Sequence, residues 1–120
     1  MILGYSLGKR IGKGGFGSVY DISDERGKKN KYAVKVQDNK SDFEYKVLQL
    51  LQDTNAVPRV HAFAVRGDKA FLILEKLDTD LHALRKKYRK GLNNELFLAL
   101  LHQGIHQLAK IHKLGILHRD

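Results

Sequence analysis

Gly12-Lys13-Gly14-Gly15-Phe16-Gly17-Ser18-Val19-Tyr20 is the stretch on which the fold turns. A G-x-G-x-x-G spacing has two common settings. In one, the glycines close a strand and open a helix, as in dinucleotide-binding folds. In the other, they form the tip of a β-hairpin, where backbone N–H groups approach phosphate oxygens with no Cβ in the way. The residues after the glycines separate the two. Gly17-Ser18-Val19-Tyr20-Asp21-Ile22 is a β-type run. A strand–turn–strand flap is therefore expected, the plain alternative being an ordinary glycine-rich hairpin.

Working outward, residues 5 to 37 read as three strands. The first enters the glycine turn, the second leaves it, and the third runs from Lys31 to Val36 after the polar turn Gly27-Lys28-Lys29-Asn30. Alternate residues of a strand share a face, so Ala33 and Lys35 point one way and Tyr32 and Val34 the other. A small side chain beside a lysine suits a face that admits a flat base at Ala33 and phosphates at Lys35, with Val19 and Ile11 closing over the base. A lysine taken alone is more simply a surface residue. A lysine held out for phosphate needs an anionic partner. Glu44, nine positions on, is the candidate and Asp42 the reserve. So short a separation requires a compact connection. Glu44 has a competing role, because Ser41-Asp42-Phe43-Glu44 also fits a capping box. The helix is expected from about Ser41 to Gln52, with Phe43, Val47, Leu50 and Leu51 on one apolar face and Glu44 bordering Leu48 and Leu51.

Val57-Pro58 breaks the helical pattern. Val60 to Val65 and Ala70 to Glu75 read as a hairpin around Arg66-Gly67-Asp68-Lys69. The linker Lys76-Leu77-Asp78 leads to a helix near 80–89, ended by Gly91-Leu92-Asn93. A long helix is expected from Asn94 to Lys113, with Gly115 as its C-terminal cap. Its first half, Leu96-Phe97-Leu98-Ala99-Leu100-Leu101, is apolar on every side and calls for cover, by a hydrophobic partner or by self-association. The chain closes on His118-Arg119-Asp120.

In this order the motifs resemble the ATP site of a eukaryotic-type protein kinase, over the first portion of such a domain. Phe43 to Leu51, Val57-Pro58-Arg59-Val60, and Gly67-Asp68 through Leu74-Glu75 to Leu81 are most similar to the casein kinase I and vaccinia-related kinase group. The resemblance implies an α+β fold. Residues 1–77 would form the N-lobe, a five-stranded antiparallel sheet with one helix, and the hinge. Residues 78–120 would start a helical C-lobe that stops at the catalytic-loop His-Arg-Asp.

It also implies roles. ATP would lie against Ile11, Gly12, Gly14, Gly17, Val19, Ala33 and Lys35, with Leu74 as gatekeeper and adenine on the backbone near Glu75 and Leu77. Asp80 would touch the ribose or cap its helix. Asp120 would accept the proton of a protein Ser or Thr hydroxyl, helped by the Lys35–Glu44 pair, with His118 packed and Arg119 bracing the loop. Mg2+ is expected in a complete domain. The asparagine after the catalytic aspartate and the Asp-Phe-Gly segment that hold it do not occur in residues 1–120. No metal ligands are therefore assigned, and this stretch alone is expected not to turn over. The other reading is a non-catalytic kinase fragment that binds nucleotide or a regulatory partner.

Composition narrows the remaining classes. There are 120 residues, 42% of them apolar, which suits a globular chain with a small core. The absence of cysteine excludes disulfides and thiolate metal sites and fits an intracellular setting, cytoplasmic or nuclear. Neither a signal peptide nor an apolar run long enough to span a membrane is apparent. The net charge of +9 gathers partly in Arg26-Gly27-Lys28-Lys29-Asn30-Lys31 and Arg85-Lys86-Lys87-Tyr88-Arg89-Lys90. These clusters could draw acidic or phosphorylated partners, or be a solvated turn and a solvated helix face. A nucleic-acid module would interleave aromatics with the basic residues, and Tyr88 alone does not make one. His61, His82, His102, His106 and His112 lack carboxylates at ligand spacing and read as structural.

Overall fold

The computed structural model describes residues 1–88 and 90–120. Arg89, in the second basic cluster and at the end expected for its helix, lies outside the described residues, as do the side chains of Lys29 and Asn30 in the first cluster. The expected α+β architecture forms. Five strands, β1 (Ser6–Gly14), β2 (Gly17–Ser23), β3 (Lys29–Gln37), β4 (Val60–Arg66) and β5 (Lys69–Glu75), make one sheet in the order β1-β2-β3-β5-β4, with every neighbouring pair antiparallel. Helix α1 (Phe43–Leu51) and a 3-10 turn (Gln52–Thr54) lie between β3 and β4, and helices α2 (Leu81–Lys87) and α3 (Asn94–Lys113) follow β5.

The alternation seen in the sequence divides the sheet into two faces. Val34 and Ile73 stand opposite each other and join Ile22 and Phe71 in a buried core. Ile2, Tyr5, Tyr20, Tyr32, Val36 and Ala62 pack around that core. On this face His61 stacks on Tyr32, with ring centroids 4.1 Å apart, and its Nε2 lies 3.3 Å from the Tyr5 hydroxyl. That is a structural role, as expected for this histidine. The other face carries Ala33, Lys35 and Leu72 and receives α1, where Tyr45 stacks on Phe63 at 4.9 Å.

Three local signals in the sequence act as written. Gly67 takes φ 60 in the two-residue loop that lets Arg66 pair with Lys69. Asn93 caps α3, its Oδ1 accepting from the Leu96 N–H at 2.8 Å. At the far end Gly115 has φ 80 and donates its N–H to the His112 carbonyl at 2.9 Å, which closes α3.

Helix α1 departs from expectation in its bounds and its phase. It begins at Phe43 and ends at Leu51, shorter than the 41–52 expected, and the chain then tightens into the 3-10 turn. Phe43 and Leu50, placed on the apolar face from sequence, are exposed. Leu51 is buried, Val47 and Leu48 are half-buried, and Glu44 lies on this same inward side. The pairing of Glu44 with Lys35 turns the helix about its axis, which brings the 44/47/48/51 stripe to the sheet and sends Phe43 and Leu50 to solvent. Helix α2 likewise ends at Lys87, earlier than the sequence suggested.

The long helix α3 matches its expected limits but not its expected burial. Ile111 is buried and the C-terminal end meets the 3-10 turn. The N-terminal half has little cover. Leu98 is 60% exposed and Phe97 52%, with Leu101 and Ile105 open as well.

Candidate functional site

The register of the sheet builds the site. Gly12 opposes Val19, Val19 opposes Lys35, and Lys35 opposes Leu72. Directly opposed residues of an antiparallel pair share a face. The glycine turn, Val19 and Lys35 therefore form one row on the side of the sheet where α1 packs. The adjacent row is Asp21, Ala33, Leu74 and Val60. Ala33 is buried between Asp21 and Leu74. Ile11 is the extra residue of a bulge, since Arg10 opposes Tyr20 while Gly12 opposes Val19, and it is half exposed beside this row.

Lys35 and Glu44 meet. The ammonium donates to both carboxylate oxygens, at 2.8 and 2.9 Å, in a part-buried position. The capping box expected as an alternative does not form: Asp42, at the N-cap, makes no side-chain capping bond, and Ser41 Oγ instead accepts from the Phe43 N–H at 3.2 Å. Asp42, the reserve partner for Lys35, pairs with Lys46 at 2.9 Å. The compact link that a nine-residue separation demands is a turn held by short-range bonds, Ser41 N–H to Asn39 Oδ1 and Phe43 N–H to Ser41 Oγ.

Sequence reasoning missed Gln37. Its side chain is buried, and its amide donates to the second oxygen of Glu44. Strand alternation puts Gln37 on the face of Ala33 and Lys35, but its burial there was not signalled by the sequence. With Lys35 and Gln37 both donating, the Glu44 carboxylate is held from two sides, and the lysine is kept extended along the sheet.

The glycine turn has two kinds of position. Gly17 has φ 145, and a Cβ there would lie 2.1 Å from the carbonyl oxygen of Val36. Only glycine permits β2 to start this close to β3. Gly14 and Gly15 face open space, so their backbone is free to approach another molecule. Phe16, between them and Gly17, is exposed at the tip.

At the end of β5 the Glu75 N–H donates to Arg59 O, and just beyond it the Lys76 N–H donates to Lys31 O, both at 2.8 Å. Leu77, three residues after Leu74, has no backbone hydrogen-bond partner among the described residues. Asp80 Oδ1 accepts from the Ala83 N–H at 2.7 Å and so serves as the N-cap of α2. Asp120 makes no hydrogen bond or ion pair with these residues. It is exposed, its N–H donates to His118 Nδ1 at 3.3 Å, and its carboxylate has no hydrogen-bond or ion-pair partner among the described residues. His118 is exposed, where packing had been expected.

The family model for the protein kinase domain matches residues 5–120. The chain belongs to the protein kinase domain family. Its five-stranded sheet with α1 is the N-lobe arrangement of that family, and α2 and α3 are the early helices that follow it. No group of three or more His, Cys, Asp or Glu side chains able to hold a metal ion occurs among the described residues. A wide apolar groove of about 570 Å3 lies away from Lys35, between α2 and α3, lined by Leu81, Leu92, Phe97, Leu101, Ile105 and Leu108 among others. No helix among the described residues is long and apolar enough to cross a membrane.

Proposed function

We propose that residues 1–77 bind ATP on the sheet face beneath the glycine turn and that the chain is the ATP-binding part of a Ser/Thr-type protein kinase. The observation that carries this is the Lys35–Glu44 pair, doubly hydrogen-bonded and standing in register with Gly12 and Val19. The adenine would lie against Ala33 between Val19 and Ile11, backed by Leu74, with its edge toward the Glu75 carbonyl and the free backbone of Leu77. Lys35 would hold the α- and β-phosphates, and the open backbone at Gly14 and Gly15 would lie over them. A small side chain at Ala33, an unpaired hinge N–H and an unobstructed glycine tip all fit such a ligand.

In a complete domain ATP supplies the phosphoryl group. Asp120 would receive the proton of the protein hydroxyl, and Glu44 and Gln37 would keep Lys35 in place. Magnesium would be held in a complete domain by the asparagine and the Asp-Phe-Gly aspartate that residues 1–120 do not include. We place the chain in the casein kinase I and vaccinia-related kinase group, on Phe43 to Leu51, Val57 to Val60, and Gly67-Asp68 through Leu74-Glu75 to Leu81. The second reading is a regulatory module that binds nucleotide or a partner without turnover, for which the open apolar groove between α2 and α3 would be the partner's surface.

Titration calorimetry tests the binding claim. Saturable one-to-one binding of ATP, weakened at least about tenfold by Lys35→Met, is expected, since the lysine makes a charge-assisted contact. Equal affinity in both proteins removes Lys35 from the site. Assaying residues 1–120 on casein with Mg2+ and ATP should give no transfer, and a signal abolished by Asp120→Asn would favour the enzyme over the binding module.

A further inference from the structure

Asp21 and Lys76 form an ion pair at 2.6 Å, with side chains 24% and 36% exposed. Asp21 opposes Ala33, so it stands in the row proposed for the base, at the end away from the glycine turn. Lys76 lies two residues after Leu74, in the segment proposed as the hinge, and its own N–H is tied to Lys31 O. Among the described residues, no other ion pair joins the β1–β2 roof to the chain beyond β5. It sits at an irregularity of the sheet. The pairing of β2 with β3 shifts register after Asp21 and resumes at Ser23, opposite Lys29. The backbone of β1 also presses closely there, since a Cβ at Gly8 would lie 3.1 Å from the Asp21 carbonyl oxygen.

We propose that the Asp21–Lys76 pair is a strut that fixes the separation of the roof and the hinge, and through it the affinity for the nucleobase. Lys76 and Asp21 are positioning residues that touch neither base nor phosphate. The inference rests on the ATP-site reading given above and adds a determinant at its far end. Partial burial makes the pair less screened than a surface one, but two exposed edges limit what it contributes.

Adenosine is the probe that isolates this effect, because it carries no phosphate for a lysine to attract. Asp21→Asn and Lys76→Met should each weaken adenosine binding about three- to fivefold, the coupling expected of a partly exposed ion pair. ATP should weaken by the same factor. The double variant should be no worse than either single one, Lys76→Arg should keep wild-type affinity, and the exchanged pair Asp21→Lys with Lys76→Asp should recover affinity to within about twofold. Lys35→Met is the internal reference, weakening ATP and sparing adenosine. Unchanged adenosine affinity in the single variants overturns the strut, and so do additive losses. Loss of ATP affinity alone overturns it too, because Lys76 would then be a phosphate contact. A wild-type chain that binds neither molecule overturns the ATP-site reading itself, and the strut with it.

Discussion

Gly17 and Lys35 show how far a single residue can be read. Lys35 and Glu44 were legible because each belongs to a period, strand alternation in one case and a helix stripe in the other, and their meeting follows once both elements pack on one face. Gln37 was not legible as a partner, because a polar residue at a strand end ordinarily faces water; its burial depends on α1 lying over it. Gly17 was recognised as part of a glycine turn, yet the reason for glycine there, the Val36 carbonyl, exists only in the folded sheet. The distinction predicts unequal effects within one motif. Gly17→Ala should cost at least about 1–3 kcal/mol through backbone strain alone, with the clash adding to it. Gly14→Ala should stay within about 0.5 kcal/mol, its Cβ meeting open space. Chemical denaturation of the two variants compares them directly. Equal stability would mean that β2 can shift away from β3 at no cost.

At the scale of elements, periodicity gave the existence of α1 but not its rotation. Phe43 and Leu50 are as apolar as Val47 and Leu48, so composition alone does not choose between overlapping stripes. The ion pair with Lys35 chooses, and it is a tertiary contact. The stripe facing the sheet predicts a contrast within the helix. Leu51→Ala should destabilise the fold by about 2–4 kcal/mol, as deletion of a buried leucine does. Phe43→Ser and Leu50→Ser should each cost less than about 0.5 kcal/mol, because both side chains are already in water. Thermal melts would rank them, and a large loss at Phe43 would restore the face first expected from sequence. The ends of α3 were legible for the opposite reason: Asn93 and Gly115 act through their own backbone neighbours, and such local chemistry needs no tertiary partner.

At the scale of the molecule, the order of motifs along the chain was enough to indicate the sheet, its helix and the helices that follow. It did not show that Asp120 is exposed. The sheet packs on both faces, whereas α2 and α3 leave their shared groove open. Each exposed Leu or Phe forgoes about 1.5–3 kcal/mol of burial, and several together rival the roughly 5–15 kcal/mol that stabilises a domain. Residues 1–120 in isolation should therefore self-associate, with Phe97→Ser and Leu101→Ser reducing the associated fraction in light scattering; a monodisperse wild-type chain would show that this face is tolerated in water.

Two regions thus compete to be the ligand site, the sheet face at Lys35 and the apolar groove between α2 and α3. Amide hydrogen exchange with and without saturating ATP separates them. The account predicts slowed exchange over Gly12–Val19, Tyr32–Lys35 and Glu75–Leu77, with Ala99–Leu108 unchanged. Protection confined to the α2–α3 groove, or none anywhere, would contradict the claim that the glycine turn and the Lys35–Glu44 pair form a nucleotide site.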